Sequence, residues 1–468
     1  MGHHRSARAS LYGAVCFYSL CAVPVVAQDA GGLILSFGIE QRIEAGRNLT
    51  LEFPEEGSGT NALTTLSFGL LSETDRHRFS LEFINGLRIA NLPGTGTTVG
   101  VDDSSLTLAY DREVANAALS FGASFERSDI DFLDPLTDFI TSDGSIELPD
   151  DFEILDGGGT RNAFSVSAEL ETGQQDLIGF VLRATAAGLE YSNTTDPDLF
   201  DTRTNTVEAG TILRFSPRTI GRVTLSTEQY NADNVEQTDR RTNVLAFGLE
   251  HEVTPRLLFG GLLGYADLDT TEIGAPPGAG DFNGVIGEFG LSYAMANGEL
   301  TAEAASTIDS AGRLNTFVVG RSLEIPNGEV SAEIGVGRSS GSDAELIGAL
   351  SWRQEIGQGD FIADLSREIT TSLEDEASAT STLAVGYVYN LNPVARVGLS
   401  VAYVQTEATP SIARVERADI TAVYTRELSS EWDFNTGISY RIRDEDLVGR
   451  ASSQSVFFSI GRQFDWRP

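Results

Sequence analysis

The chain has 468 residues, 68 acidic and 32 basic, and a formal net charge of -36; the basic residues other than histidine are all arginine. So negative a chain lacks the basic face that nucleic acid requires. With two cysteines and four histidines, it also has too few ligands for a disulfide framework or a clustered zinc site.

Residues 1–27 read as a secretory signal peptide. Arg5 and Arg8 precede the apolar run "LYGAVCFYSLCAVPVV", and Val25-Val26-Ala27 supplies a small-residue cleavage site before Gln28. Cleavage there would remove Cys16 and Cys21 and leave only His77 and His251 as histidines. No later run is long and apolar enough for a membrane helix. An exported chain of this kind crosses a membrane only as a closed β-barrel, because no other strand arrangement satisfies every backbone group in lipid.

From residue 28 to 468 the sequence alternates apolar and polar residues, the period of a strand with two unlike faces. The first such segment is "LILSFGIEQRI" (33–43) and the last "SVFFSIGRQFDW" (455–466), with "TNVLAFGLEHE" (242–252) and "STLAVGYVYNL" (381–391) among those between. The expected fold is all-β, one large antiparallel meander of about 22 strands (range 18–24). Short turns such as "SETDR", "SPRT", "EVTP" and "GQGD" alternate with longer polar stretches, including 45–60, 90–103, 127–161, 269–282 and 406–417. A transmembrane barrel has this asymmetry, with short periplasmic turns and long extracellular loops.

Strands heading towards the short turns end in aromatics of outward parity: Tyr110, Phe215, Tyr293, Trp352, Tyr389, Tyr424, Phe464 and Trp466. Rings of this kind favour a membrane interface. The opposite parity is small and polar, as a wet lumen requires. Its charged members include Glu40, Arg42, Glu82, Arg88, Glu126, Glu169, Glu288, Arg396 and Arg441, the candidates for setting selectivity. Acids outnumber arginines on that parity, so weak cation preference is expected. Cross-strand pairing that stiffens the wall is the alternative role.

This pattern resembles the porin-like outer-membrane β-barrel proteins of Gram-negative bacteria. The last strand carries the resemblance best, since such barrels close with an alternating strand ending in an aromatic that the barrel-assembly machinery reads. Here Arg462 interrupts the parity and Arg467-Pro468 follow Trp466. The resemblance implies an outer-membrane location, with lipid and lipopolysaccharide as surroundings. It also implies that the third extracellular loop folds into the lumen. That loop, 127–161, holds ten carboxylates, among them Asp129, Asp131, Asp134, Asp138, Asp150, Asp151 and Asp156, and also apolar residues such as Phe132, Leu136 and Ile140. It reads as a constriction or as a solvated acidic cap able to hold divalent cations. Only about five residues separate the expected cleavage site from the first strand, which leaves no room for the separate plug domain of a TonB-dependent transporter.

No catalytic constellation, cofactor motif or metal-ligand spacing is present, so enzymatic activity is not expected. The expected function is passive diffusion of small hydrophilic solutes through a porin-like channel. A polysaccharide export barrel is one alternative, although no stripe of inward arginines stands out in the sequence. A surface structural or adhesive barrel with a loop-closed lumen is the other.

Overall fold

The computed structural model describes residues 32–467 apart from 56, 95, 153, 155–157, 277 and 447. The segment read as a signal peptide lies outside the described residues, as do Asp156 and Pro468. Twenty-two strands run from β1 (Leu33–Arg47) to β22 (Gly449–Trp466), each antiparallel to the one before. β1 then pairs with β22, with Leu35 opposite Trp466 and Phe37 opposite Phe464. The sheet closes on itself, so no strand edge is left for lipid to meet.

Alternation decides which face is which. On β10 (Asp239–Thr254), Leu245, Phe247 and Leu249 point outward and are exposed, while Ala246 between them is buried. On β18 (Ala377–Asn392) the inward residues Ser378, Thr380, Thr382 and Ala384 are buried. The large apolar side chains lie outside and the small or polar ones inside, the reverse of a water-soluble protein. Such an outer surface is stable only against hydrocarbon. The chain is thus an outer-membrane β-barrel.

The connections sort by end. Those on the end that holds both strand termini span two to five residues, such as 75–76 between β2 (Ser58–Thr74) and β3 (His77–Leu92). The longest, 130–159, is on the other end, between β5 (Ala117–Asp129) and β6 (Thr160–Thr172). One stretch departs from expectation. Residues 90–103 read as a loop, but β3 continues to Leu92 and β4 (Gly96–Val114) begins at Gly96. Val99 pairs with Ile89 and Val101 with Leu87, so two apolar cross-strand pairs extend the ladder through a Gly- and Thr-rich sequence.

The aromatic residues named above lie near the short-turn ends on the outer parity. Tyr110 is on β4, Phe215 on β8 (Thr202–Ser216) and Tyr293 on β12 (Phe282–Met295). Trp352 is on β16 (Glu345–Ile356), Tyr389 on β18 and Tyr424 on β20 (Val415–Ser429). Phe464 stacks on Phe37 with ring centroids 5.4 Å apart, and Trp352 meets Phe361 edge-on at 5.0 Å. Arg462 is accommodated among them. Its guanidinium lies 2.7 Å from Glu431 and over the rings of Trp432 and Phe464, each at 5.6 Å.

Candidate functional site: a loop seated in the lumen

Among the described residues, a cluster of large buried apolar side chains lies inside the barrel. Leu136, Ile140, Ile146 and Phe152 of the β5–β6 loop pack together against Ala384 of β18 and Ala402 and Val404 of β19 (Ala395–Thr406), with Phe139 and Leu148 at the margin. The apolar residues noted in this acidic loop therefore have partners. Ile140 and Ile146 form a β-bridge, and residues 141–145 make the tight turn between them, with the Thr141 amide donating to the Ser145 carbonyl at 2.9 Å.

β5 and β18 lie far apart around a ring of 22 strands, so these contacts require the loop to cross the lumen. Its path can be followed by contacts. At the outer end, the Arg88 guanidinium of β3 lies over the Phe132 ring, 3.8 Å from its centroid. Arg441 of β21 (Trp432–Glu445) donates to the Leu133 carbonyl and Arg417 of β20 to the Asp134 carbonyl, both at 2.5 Å. The Leu136 amide donates to Asp419 Oδ2 at 2.5 Å. Farther in, Gly144 packs on Ile362 of β17 (Gly359–Thr371), and Arg353 of β16 donates to the Asp143 carbonyl. Arg353 and Ile362 are each four residues from the short turn at 357–358. The loop tip therefore reaches the inner third of the barrel.

The return limb is fixed at its root. Asp151 is fully buried and accepts a two-pronged hydrogen bond from Arg161 of β6, Nε to Oδ2 at 2.5 Å and Nη2 to Oδ1 at 3.0 Å. The Tyr191 hydroxyl donates to the same carboxylate. Such a pair is weak evidence for stability as a whole, but removing one member is costly. Gly144 has φ +87°, and a β-carbon there would come within 2.3 Å of Ile362, so the tip conformation requires glycine.

The loop carboxylates have different surroundings. Asp129 accepts the Asp131 amide at 3.1 Å. Asp134 contributes its carbonyl to the seat. Asp138 touches lumen water but is walled in by loop and barrel; this enclosure raises its carboxyl to about 6, against the pull of Arg42 and Arg441. Partial burial also acts to raise Asp143, but hydrogen bonds from Thr141 and Ser145 and the charge of Arg353 hold it below the usual range. Asp150 lies close enough to Tyr230 of β9 (Thr219–Ala232) to act on it electrostatically.

The nine inward charged candidates do not form one ring. Arg88 and Arg441 meet the loop directly, and the charge of Arg42 acts on Asp138. Arg42 also stacks on the inward Phe457 ring at 3.9 Å. Glu126 acts on Arg161 near the loop's root. Glu169 is held by Arg183 of β7 (Ile178–Ser192) at 2.9 Å, and Arg183 also binds Glu208 at 2.9 Å. Glu40 lies beside Gly461. Glu82 on β3 and Glu288 on β12 stand on distant strands, both exposed to the lumen. Arg396 is one residue inside the start of β19, at the inner mouth.

The sequence reading missed Arg417 and Asp419, because it carried the loop 406–417 through Arg417, whereas β20 already begins at Val415. Their signal was the alternation in "VERADI", which places both on the inward parity at the outer end of a strand. Among the described residues, no cluster of three or more His, Cys, Asp or Glu has the geometry to hold a metal ion.

No family model matches the sequence, and no curated protein sequence does. Solved structures do match. The FrpB iron transporter from Neisseria meningitidis superposes with a TM-score of 0.62 at 8% identity, over 94% of this chain and 83% of that one. A mutant of the ferric enterobactin receptor PfeA from Pseudomonas aeruginosa gives 0.56 at 9%, over 93% and 81%. The ferric-catecholate import receptor Fiu from E. coli gives 0.56 at 10%, over 94% and 82%. At such identities the likeness is one of fold, a large outer-membrane barrel.

Proposed function

We propose that this barrel is a porin-like channel for small hydrophilic solutes, narrowed by the β5–β6 loop. The observation that carries this reading is the loop's path, which runs from the outer rim to within four residues of an inner turn and packs mainly on the wall from β16 to β21. Solutes would pass along the facing wall. That wall bears Glu208, Arg222 paired with Glu250 at 3.3 Å, Glu228 and Glu288, an acid-rich lining that favours cations weakly. Deleting 130–158 should raise single-channel conductance of the purified barrel several-fold in a planar bilayer. Unchanged conductance overturns the reading.

The 22-strand count and the loop seated in the lumen, together with neighbours named as an iron transporter and as ferric-enterobactin and ferric-catecholate receptors, support a second reading, in which the loop is a plug that moves aside when a ligand binds. It calls for almost no conductance in the intact protein and large conductance after the deletion. The porin-like reading calls for measurable conductance in both.

A further inference from the structure

We infer that the wall behind the loop is a covered binding site for a multivalent oxyanion, and that the loop occupies it as a tethered substitute. The inference rests on the loop narrowing the lumen, as proposed above. Three guanidinium groups, those of Arg88, Arg417 and Arg441, contact loop residues 132–134 from β3, β20 and β21, and the charge of a fourth, Arg42 on β1, acts on Asp138.

They form no stripe in the sequence. Barrel closure gathers them by placing β1 beside β22. The loop meets the first three through two neutral carbonyl oxygens and the rings of Phe132 and Phe152, and the carboxylates of Asp134 and Asp138 add their charge at Arg417 and Arg441. Guanidinium bonds to an ionised oxygen are roughly twice as strong as neutral ones and are often two-pronged. Arg417 is 4% exposed, and its Nε has no hydrogen-bond partner. The wall's own acid, Asp419, is directed to the Leu136 amide at 2.5 Å and lies 3.8 Å from Arg441 Nε. Two further wall acids pair with the others, Glu44 with Arg42 at 3.3 Å and Asp103 with Arg88 at 3.4 Å. With the loop displaced, the four cations would face lumen water. A tricarboxylate or a pyrophosphate presents several charged oxygens in one small molecule, as such a patch requires.

The test uses the full barrel and its 130–158 deletion, with citrate and inorganic pyrophosphate as separate probes. Reversal potentials in a potassium chloride gradient should move from cation preference in the intact barrel to anion preference in the deletion. Millimolar citrate or pyrophosphate should block the deletion channel several-fold more than the intact one, and the two arms separate carboxylate from phosphate recognition. Arg417→Gln with Arg441→Gln in the deletion background should abolish both the shift and the block. A deletion that conducts more but keeps its cation preference and ignores both probes overturns this inference alone. A deletion with unchanged conductance removes the narrowing reading as well. If the deletion does not assemble, Ile146→Asn is measured in the same way, because it disrupts the loop's apolar core without touching the arginines.

Discussion

Arg183 on β7 and Arg441 on β21 both point into the lumen and both meet a carboxylate, but in different surroundings. The Arg183 side chain is 42% exposed and shares its charge with Glu169 and Glu208 in lumen water. The Arg441 side chain is 12% exposed, its carboxylate Asp419 only 1%, and both are also bonded to a loop laid over them. Exposed pairs contribute roughly 0–1 kcal/mol and weaken with salt. Covered pairs are strongly coupled, so losing one member leaves a charge with no water to take its place. One wall is therefore tolerant of substitution and suited to passing solute, whereas the other depends on the loop.

The largest expected effect is at the root of the covered region. Asp151→Ala should leave Arg161 buried without its carboxylate, at a cost of about 3–5 kcal/mol. The expected result is loop release rather than barrel unfolding, because the strand ladder does not use Asp151. Amide exchange across 130–159 should accelerate while that of β10 to β15 (Gly328–Ser339) stays unchanged. Uniform acceleration throughout the barrel would show that the loop is not a separate unit. Gly144→Leu should come next, at about 1–3 kcal/mol, since it forces a side chain into Ile362 at positive φ. Exchange should then rise at 141–146 and leave the Asp151 end protected.

The barrel could be read from the sequence because every strand repeats the same physical instruction, an outward apolar residue at every second position. Twenty-two repetitions average out local ambiguity, because each strand is fixed by neighbours on both sides. The loop seat was harder. Phe132, Leu136 and Ile140 signalled a buried face, but no period indicates that Ala384 and Val404, more than 240 positions away, provide the surface. Barrel closure and tilt set that pairing, and neither is local. The same holds for Arg417 and Asp419, whose parity was readable but whose partner was not. The lumen candidates were assigned to a face by alternation, which carries no information on height, so Arg396 and Glu40 were grouped although one lies at the inner mouth and the other well within the barrel.

A control on the exposed wall should show the contrast. Arg183→Gln removes two half-exposed ion pairs and should change stability by less than about 1 kcal/mol, with loop exchange unaffected. If it loosened the loop as much as Gly144→Leu, the two walls would not be independent.

The smallest effect is expected from pH. The seat raises the proton affinity of Asp138, whose carboxyl titrates at about 6 when enclosed and near 4 when free. Seating is therefore favoured by proton binding below about pH 4, and that contribution disappears as pH rises through about 6. Because the carboxylate touches lumen water, screening keeps the contribution below about 1 kcal/mol. Loop exchange, corrected for its intrinsic pH dependence, should speed up modestly between pH 4 and pH 7, and Asp138→Asn should remove the slope. A slope of the opposite sign would mean that the pull of Arg42 and Arg441 outweighs enclosure, and that Asp138 holds the loop as an ionised partner of the arginine wall.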